Sequence, residues 1–267
     1  MTTQVLVSGR PRAGLLNGVK DAIVLTERSL IAYVRIPEAL FFSSVQPIMF
    51  VLLFRYVFGG AIHVPGGGSY VDYLMPGIFV QTMAFGAVGT AIGLAEDLQK
   101  GAVERFRSLP MARWALLAGR TSGDFCRNVL VLILITVVGF LVGFRVHGSV
   151  LGFLSADLIL LGFAYALSWG FSVIGLLAPN SETAQVMSFP ILFPLTFASS
   201  AFVPVQSMPG WLQAFANNQP ISIVVNAARA LIDGGPASSY VIKAVIWTVG
   251  LLVILVPLAA SRYRRTV

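Results

Sequence analysis

Residues 73–95 read YLMPGIFVQTMAFGAVGTAIGLA, an apolar run without a single charged side chain, closed by Glu96, Asp97 and Lys100. Crossing ~30 Å of hydrocarbon takes about 20 mostly apolar helical residues, and this run meets that length. Five further runs of the same kind flank it, at approximately Ala39–Phe58, Val129–Phe144, Leu158–Ala178, Val186–Val203 and Val241–Ala260. Val129–Phe144 and Val186–Val203, the third and fifth of the six in chain order, are short. The sequence therefore predicts an all-α membrane protein with six transmembrane helices.

Composition agrees. Of 267 residues, 57% are hydrophobic and only 11% charged, and the mean hydropathy is +0.84. Soluble domains carry about 25% charged residues, so lipid must solvate much of this surface. The net charge of +7 does not point to nucleic acid, because the basic residues cluster between the apolar runs, as in cytoplasmic loops of membrane proteins. Arg10, Arg12, Lys20, Arg28 and Arg35 precede the first run. Lys100, Arg105, Arg107, Arg113, Arg120 and Arg127 follow the second, and Arg262, Arg264 and Arg265 follow the last. Only Arg55, Arg145, Arg229 and Lys243 fall toward the other side. Both termini are thus expected in the cytoplasm of a bacterial inner (plasma) membrane. The one cysteine, Cys126, excludes an internal disulfide and a cysteine metal cluster. Residues 1–14 lack the apolar core of a signal peptide.

The expected organisation is one transmembrane domain over 1–267: a cytoplasmic N-terminus (1–37), a six-span bundle (38–260) and a short cytoplasmic tail (261–267). Within the N-terminus, Gly14–Ile36 is amphipathic. Asn17, Lys20, Asp21, Glu27, Arg28 and Arg35 share one arc, opposite Leu15, Leu16, Val19, Ile23, Leu30 and Val34. Such a helix lies in the membrane interface and either touches a partner or anchors the chain. Gly59–Ser69 reads as a flexible outer turn. Pro204–Pro236 combines four prolines with two helical patterns, one after Ser207 and one over 221–233. Non-helical backbone at membrane depth must be covered by protein, so a partly re-entrant outer cap is expected, with Arg229 and Asp233 pairing at i,i+4 on its wet face.

The chemistry is sparse. No G-x-x-x-x-G-K-[ST] phosphate cradle occurs. His63 and His147 lie in loops without metal-ligand spacing, and no catalytic residue set or metal site is visible. Asp157 and the other charges near the runs sit at their ends, so no acidic relay for an ion-driven motor is evident. Three phenylalanines, Phe189, Phe193 and Phe197, stand at i,i+4,i+8 in the fifth run. They would line a path for an apolar cargo, or pack against a subunit or lipid. Gln46 and Gln81 are polar groups in apolar surroundings, available to bond a neighbouring helix or to face such a path.

The loop after residue 95 stands apart. Val103, Phe106 and Leu109 give it an apolar side, Glu104, Arg105 and Arg107 a charged one, with Gly101 and Pro110 as brackets. A knob of this kind suits helix-in-groove docking or contact with anionic lipid. Lys100, Gly101, Glu104, Arg105, Pro110, Gly119 and Arg120 match a pattern common in ABC-2 type transporter permeases. Gln46–Phe54, Leu74–Thr82, Phe106–Arg113, Ser199–Val205 and Met208–Ala216 resemble the daunorubicin/doxorubicin-resistance branch of that family. The resemblance, over roughly 20–235, implies a cytoplasmic interfacial helix, a coupling helix and short re-entrant helices before the last span. It also implies a drug, antibiotic or lipid exporter built from two permease subunits (a homodimer or paralogues) and two copies of a cytoplasmic ABC ATPase. ATP and Mg would be bound by that partner and no cofactor by this chain. Glu104, Arg105, Phe106, Arg107 and Pro110, with Glu27 and Arg28, would then meet the ATPase. The competing expectation is an ion-coupled secondary transporter or channel acting alone.

Overall fold

Among the described residues every regular element is a helix. The computed structural model describes residues 23–24, 26–27, 37–60, 69–101 and 113–266, without the side chains of 37–43, 113–116 and 266. In chain order they are α1 (Pro37–Leu53), continued by a π-helical turn at Phe54–Phe58, α2 (Tyr70–Gln99), α3 (Arg113–Leu141), α4 (Val150–Leu177), α5 (Ser181–Phe197), a 3₁₀ turn at Val205–Ser207, α6 (Gly210–Asn218), α7 (Pro220–Asp233) and α8 (Ser238–Thr266). Four of them, α2, α3, α4 and α8, are long and apolar enough to cross a membrane. α1 and α5 have 17 residues each, about 25 Å at 1.5 Å per residue, which falls short of the ~30 Å core.

α2 is the central post. In its most apolar stretch 78% of residues are buried, against 6% in α8, so α2 is solvated by protein and α8 turns its apolar surface outward. Close approach explains how α2 accommodates its neighbours. A Cβ at Gly175 of α4 would stand 2.6 Å from the carbonyl oxygen of Ala91, and one at Gly77 would overlap the carbonyl of Ala201. Small residues let helix backbones approach in this way. At one end of the bundle, Leu94, Leu117, Trp169, Leu176, Ala259 and Tyr263 form a cluster joining α2, α3, α4 and α8. This is the end where α2 stops and α3 starts, called here the loop end. The opposite, cap end carries α6 and α7.

Three boundaries differ from expectation. α3 begins at Arg113 and runs unbroken to Leu141, so residues 113–127 are the first turns of the same helix that holds the third apolar run. Residues 261–266 continue α8 beyond the expected end of the sixth run. α5 starts at Ser181, where Asn180 Oδ1 accepts from the Thr183 amide (2.7 Å), and it ends at Phe197 rather than Val203. Pro190 and Pro194 each remove a backbone donor from it.

Beyond Phe197 the chain unwinds through 198–204, and the exposed carbonyls are taken up by α2 and α7. Gln219 Nε2 donates to Leu195 O (2.8 Å) and Ala198 O (3.4 Å). The hydroxyl of Tyr73 donates to Ser200 O (3.2 Å) and that of Tyr70 to Phe202 O (3.1 Å). The amide of Ser200 donates to Ser222 Oγ (3.0 Å). Arg229 belongs to this network and not to Asp233. Its Nη2 donates to Tyr73 O (2.9 Å) and Ser200 O (3.1 Å), its Nη1 to Asn226 Oδ1 (3.2 Å), and it lies 3.7 Å over the Tyr73 ring. The expected i,i+4 pair does not form because a guanidinium gains more from three acceptors and an aromatic face than from one solvated carboxylate.

Gly175→Val should lower the stability of the purified chain by about 1–3 kcal/mol through overpacking, read as a lower melting temperature in detergent. Gly250→Val, where a Cβ meets nothing within 4 Å, should leave it unchanged.

Candidate functional site

Gly86, Gly89 and Gly93 lie at i, i+3 and i+7 and so share one face of α2. Arg120, Arg127 and Asn128 lie at i, i+7 and i+8 on α3 and face them. A Cβ at Gly86 would stand 2.6 Å from Asn128 Oδ1 and 3.4 Å from Arg127 Nη2. One at Gly89 would stand 2.6 Å from Arg127 Nη1, and one at Gly93 would overlap the Arg120 guanidinium. The glycines thus make a trough in which two guanidinium groups lie against the α2 backbone.

Each charge in the trough is hydrogen-bonded. Arg127 Nη2 donates to Gly86 O (2.6 Å) and Asn128 Oδ1 (3.3 Å). Arg120 Nη1 donates to Asp97 Oδ2 (2.8 Å), and its Nε lies 3.8 Å from Asp124 Oδ2. Asp124 is buried and accepts from the Thr90 hydroxyl (2.6 Å). The exposed pair Lys100–Glu96 stands at the end of α2, and its hydrogen bond raises the Lys100 pKa. Gly101 follows with φ 65°, the left-handed conformation that ends helices and favours glycine.

Toward the middle of the bundle the trough opens into a cavity of about 240 Å³ among α1, α2, α3 and α5. Gln46, Gln81, Phe189 and Arg127 are in its lining, so the structure unites three residues that the sequence singled out separately. Phe193 and Phe197 are outside that lining. They continue from Phe189 as an aromatic ladder, with ring centroids 5.4 Å apart at each step, then to Phe202 at 5.3 Å and on to Phe54 at 4.7 Å. Phe193 and Phe197 are exposed. At the cap end a second cavity of about 700 Å³ has Asp72, His147, Asn226, Arg229 and Asp233 in its lining.

Glu104, Arg105, Phe106, Arg107, Pro110 and Arg28 lie outside the described residues. Glu27 is exposed and helical, and its neighbour Thr26 donates to Gly119 O (3.3 Å), which brings the N-terminal stretch to the root of α3. Arg127, Asn128, Phe50 and Phe85 are site residues that sequence reasoning missed. The signal for the first two was the glycine spacing on α2 read against the heptad from Arg120 to Arg127.

Residues 21–232 match the ABC-2 type transporter family. The chain is 33% identical over 261 residues to the daunorubicin resistance ABC transporter permease protein DrrB1 of Streptomyces coeruleorubidus, covering 98% of this chain and 92% of that protein. It is 28% identical over 251 residues to the probable doxorubicin resistance ABC transporter permease protein DrrC of Mycobacterium tuberculosis, covering 92% and 89%. The inner membrane transport permease YadH of Escherichia coli is 25% identical over 198 residues, covering 70% and 74%.

Removing Arg120 leaves a buried carboxylate at Asp124 short of a cationic neighbour. Arg120→Ala should therefore cost about 2–3 kcal/mol, measured by denaturation in detergent. Lys100→Ala breaks only a solvated pair and should leave the midpoint unmoved.

Proposed function

The chain belongs to the ABC-2 type transporter family, and from that premise we propose that it is the membrane-spanning subunit of an exporter for apolar or amphiphilic compounds, driven by a separate ATPase. The observation that carries this reading is the joint geometry of the loop end and the cavity. α2 and α3 lead into and out of the coupling loop, and the same two helices wall the cavity. Arg120 and Asp97 pin them together between those places.

The reading has six spans: the four long helices with α1, lengthened by its π turn, and α5. Both termini face the cytoplasm, since the basic residues of the loop end and of the α8 terminus stand together there, and the bacterial inner membrane is the setting. The irregular segment after α5, with α6 and α7, is then a re-entrant outer cap. Two such permeases and two ATPase copies would form the assembly. Glu104, Arg105, Phe106, Arg107 and Pro110 would dock in the ATPase, supported by Glu27 and Arg28, and that partner would bind ATP and Mg. The apolar ladder from Phe189 to Phe197 suits the body of an apolar or amphiphilic cargo.

One observation favours the ion-coupled alternative. Asp157 is partly buried in the outer part of α4, and its Oδ1 finds no partner among the described residues. Lone carboxylates inside spans often carry protons in secondary transporters. The two mechanisms separate in inside-out vesicles holding the chain and its ATPase. Uptake of a labelled amphiphile should require ATP, survive a protonophore and stay within about twofold in Asp157→Asn. Uptake that persists without ATP and collapses with the proton gradient would establish the alternative. In the same vesicles, Glu104→Ala combined with Arg105→Ala should reduce uptake about tenfold or more, the weight of one or two charge-assisted contacts. The partner's own ATPase activity, measured without the permease, stays unaltered.

A further inference from the structure

We propose that the cavity beside Gln81 receives the oxygen-bearing aromatic end of an amphiphile, held by the Gln81 and Asn128 amides with its ring among Phe50, Phe85 and Phe189. This rests on the exporter reading and names the chemistry of the compound it would recognise.

The inference starts from polar atoms left without partners. Gln81 is 3% exposed and Asn128 2%. Neither Nε2 nor Oε1 of Gln81 finds a hydrogen-bond partner among the described residues, nor does Nδ2 of Asn128 or the hydroxyl of Thr82. All three side chains line the same cavity. Buried polar groups are almost always paired, and an exception calls for a specific reason. The other polar groups nearby do not behave this way: Thr90, Asp97 and Gly86 O all accept or donate within the trough. Unmet atoms of three side chains, Gln81, Thr82 and Asn128, therefore come together in this one cavity.

Their type sets the ligand. Amide N–H groups of Gln81 and Asn128 call for an acceptor oxygen, a carbonyl or an ether. Gln81 Oε1 calls for a donor, such as a hydroxyl, on the same end of the molecule. The remaining wall is aromatic, with Phe85 and Phe189 at 6.2 Å, and rings seat rings at such spacing. Size sets how much enters. At about 240 Å³ the cavity is below the ~300–1,000 Å³ of sites that enclose a whole drug-sized ligand. It admits one ring with its polar groups. Gln46 and Gln185, both in the lining, are exposed, so the mouth lies between α1 and α5. From there the apolar remainder of the molecule meets the exposed rings of Phe193 and Phe197.

A suitable probe is tritiated nonyl 4-hydroxybenzoate, with the full chain in lipid nanodiscs and empty nanodiscs as blank. Saturable binding is expected, displaced by the unlabelled ester and poorly by nonylbenzene, which has the ring and chain without oxygen. Gln81→Leu keeps the side-chain volume and removes both unmet atoms. It should weaken binding about tenfold while melting at or above the temperature of the unaltered chain, since a buried unpaired amide has been removed. Val131→Phe fills the cavity from α3 and should abolish binding with Gln81 intact. Unchanged affinity in both variants, or equal displacement by nonylbenzene, overturns the proposal. Binding is read without ATPase or ATP. Retained binding with no ATP-driven export of the probe would count against the exporter reading and leave the site standing.

Discussion

A backbone carbonyl buried among apolar side chains has no water to turn to, and the break at the end of α5 exposes several at once. The chain meets that constraint with side chains from two other helices. Gln219 covers Leu195 and Ala198, Tyr70 and Tyr73 reach Phe202 and Ser200, and Arg229 spans Ser200 and Tyr73. Each unpaired group would cost several kcal/mol in an apolar surrounding, so the set decides whether α5 can end where it does. It also fixes the cap end of α2 to α7 and to the segment after α5. A fold without this network would need α5 to run on as a helix, and the short helices α6 and α7 would have nowhere to sit.

The loop end is governed by the same accounting applied to charge. Two guanidinium groups and a buried carboxylate lie between α2 and α3, where an isolated ion would be strongly disfavoured. They are admitted because Gly86, Gly89 and Gly93 remove the side chains that would stand in their place, and because each charge finds an acceptor or donor on the opposite helix. The trough therefore differs from the cavity next to it. In the trough the polar groups satisfy one another. In the cavity the Gln81 amide and the Nδ2 of Asn128 do not. Two polar regions a few turns apart on the same helices thus have opposite character, one closed on itself and one open to a ligand.

Much of this was legible in the sequence where the signal is local. The apolar runs marked all four long helices, because length and hydropathy need no knowledge of neighbours. Serine and proline punctuation around 204–222 marked the two short helices. The motif through Gly101, Glu104, Arg105 and Pro110 carried the family. What could not be read depended on distant partners. Arg229 was matched to Asp233, four residues away, whereas its acceptor Tyr73 is 156 residues away in the chain. Arg127 counted only as a loop charge, since counting basic residues says nothing of a glycine trough on another helix. The phenylalanine stripe of α5 was visible by periodicity, but Phe50, Phe54 and Phe202, which extend it, come from other elements.

The position of the cavity follows from these two fixed ends. α2 is clasped at the cap end by the Tyr70, Tyr73 and Arg229 bonds and at the loop end by Arg120 and Asp97. Between the clasps its face toward α1, α3 and α5 presents Gln81, Thr82, Phe85, Val88, Ile92 and the two glycines Gly86 and Gly89. α1 and α5 are shorter than α2, α3, α4 and α8, and each carries proline inside the helix, Pro47 in α1 and Pro190 and Pro194 in α5. Helices that are short and proline-interrupted fill space less completely than the continuous α4, which packs on the other side of α2 through Gly175. A gap therefore opens on the α1–α5 side and not on the α4 side, and the unmet atoms of Gln81, Thr82 and Asn128 face it together with the aromatic rings.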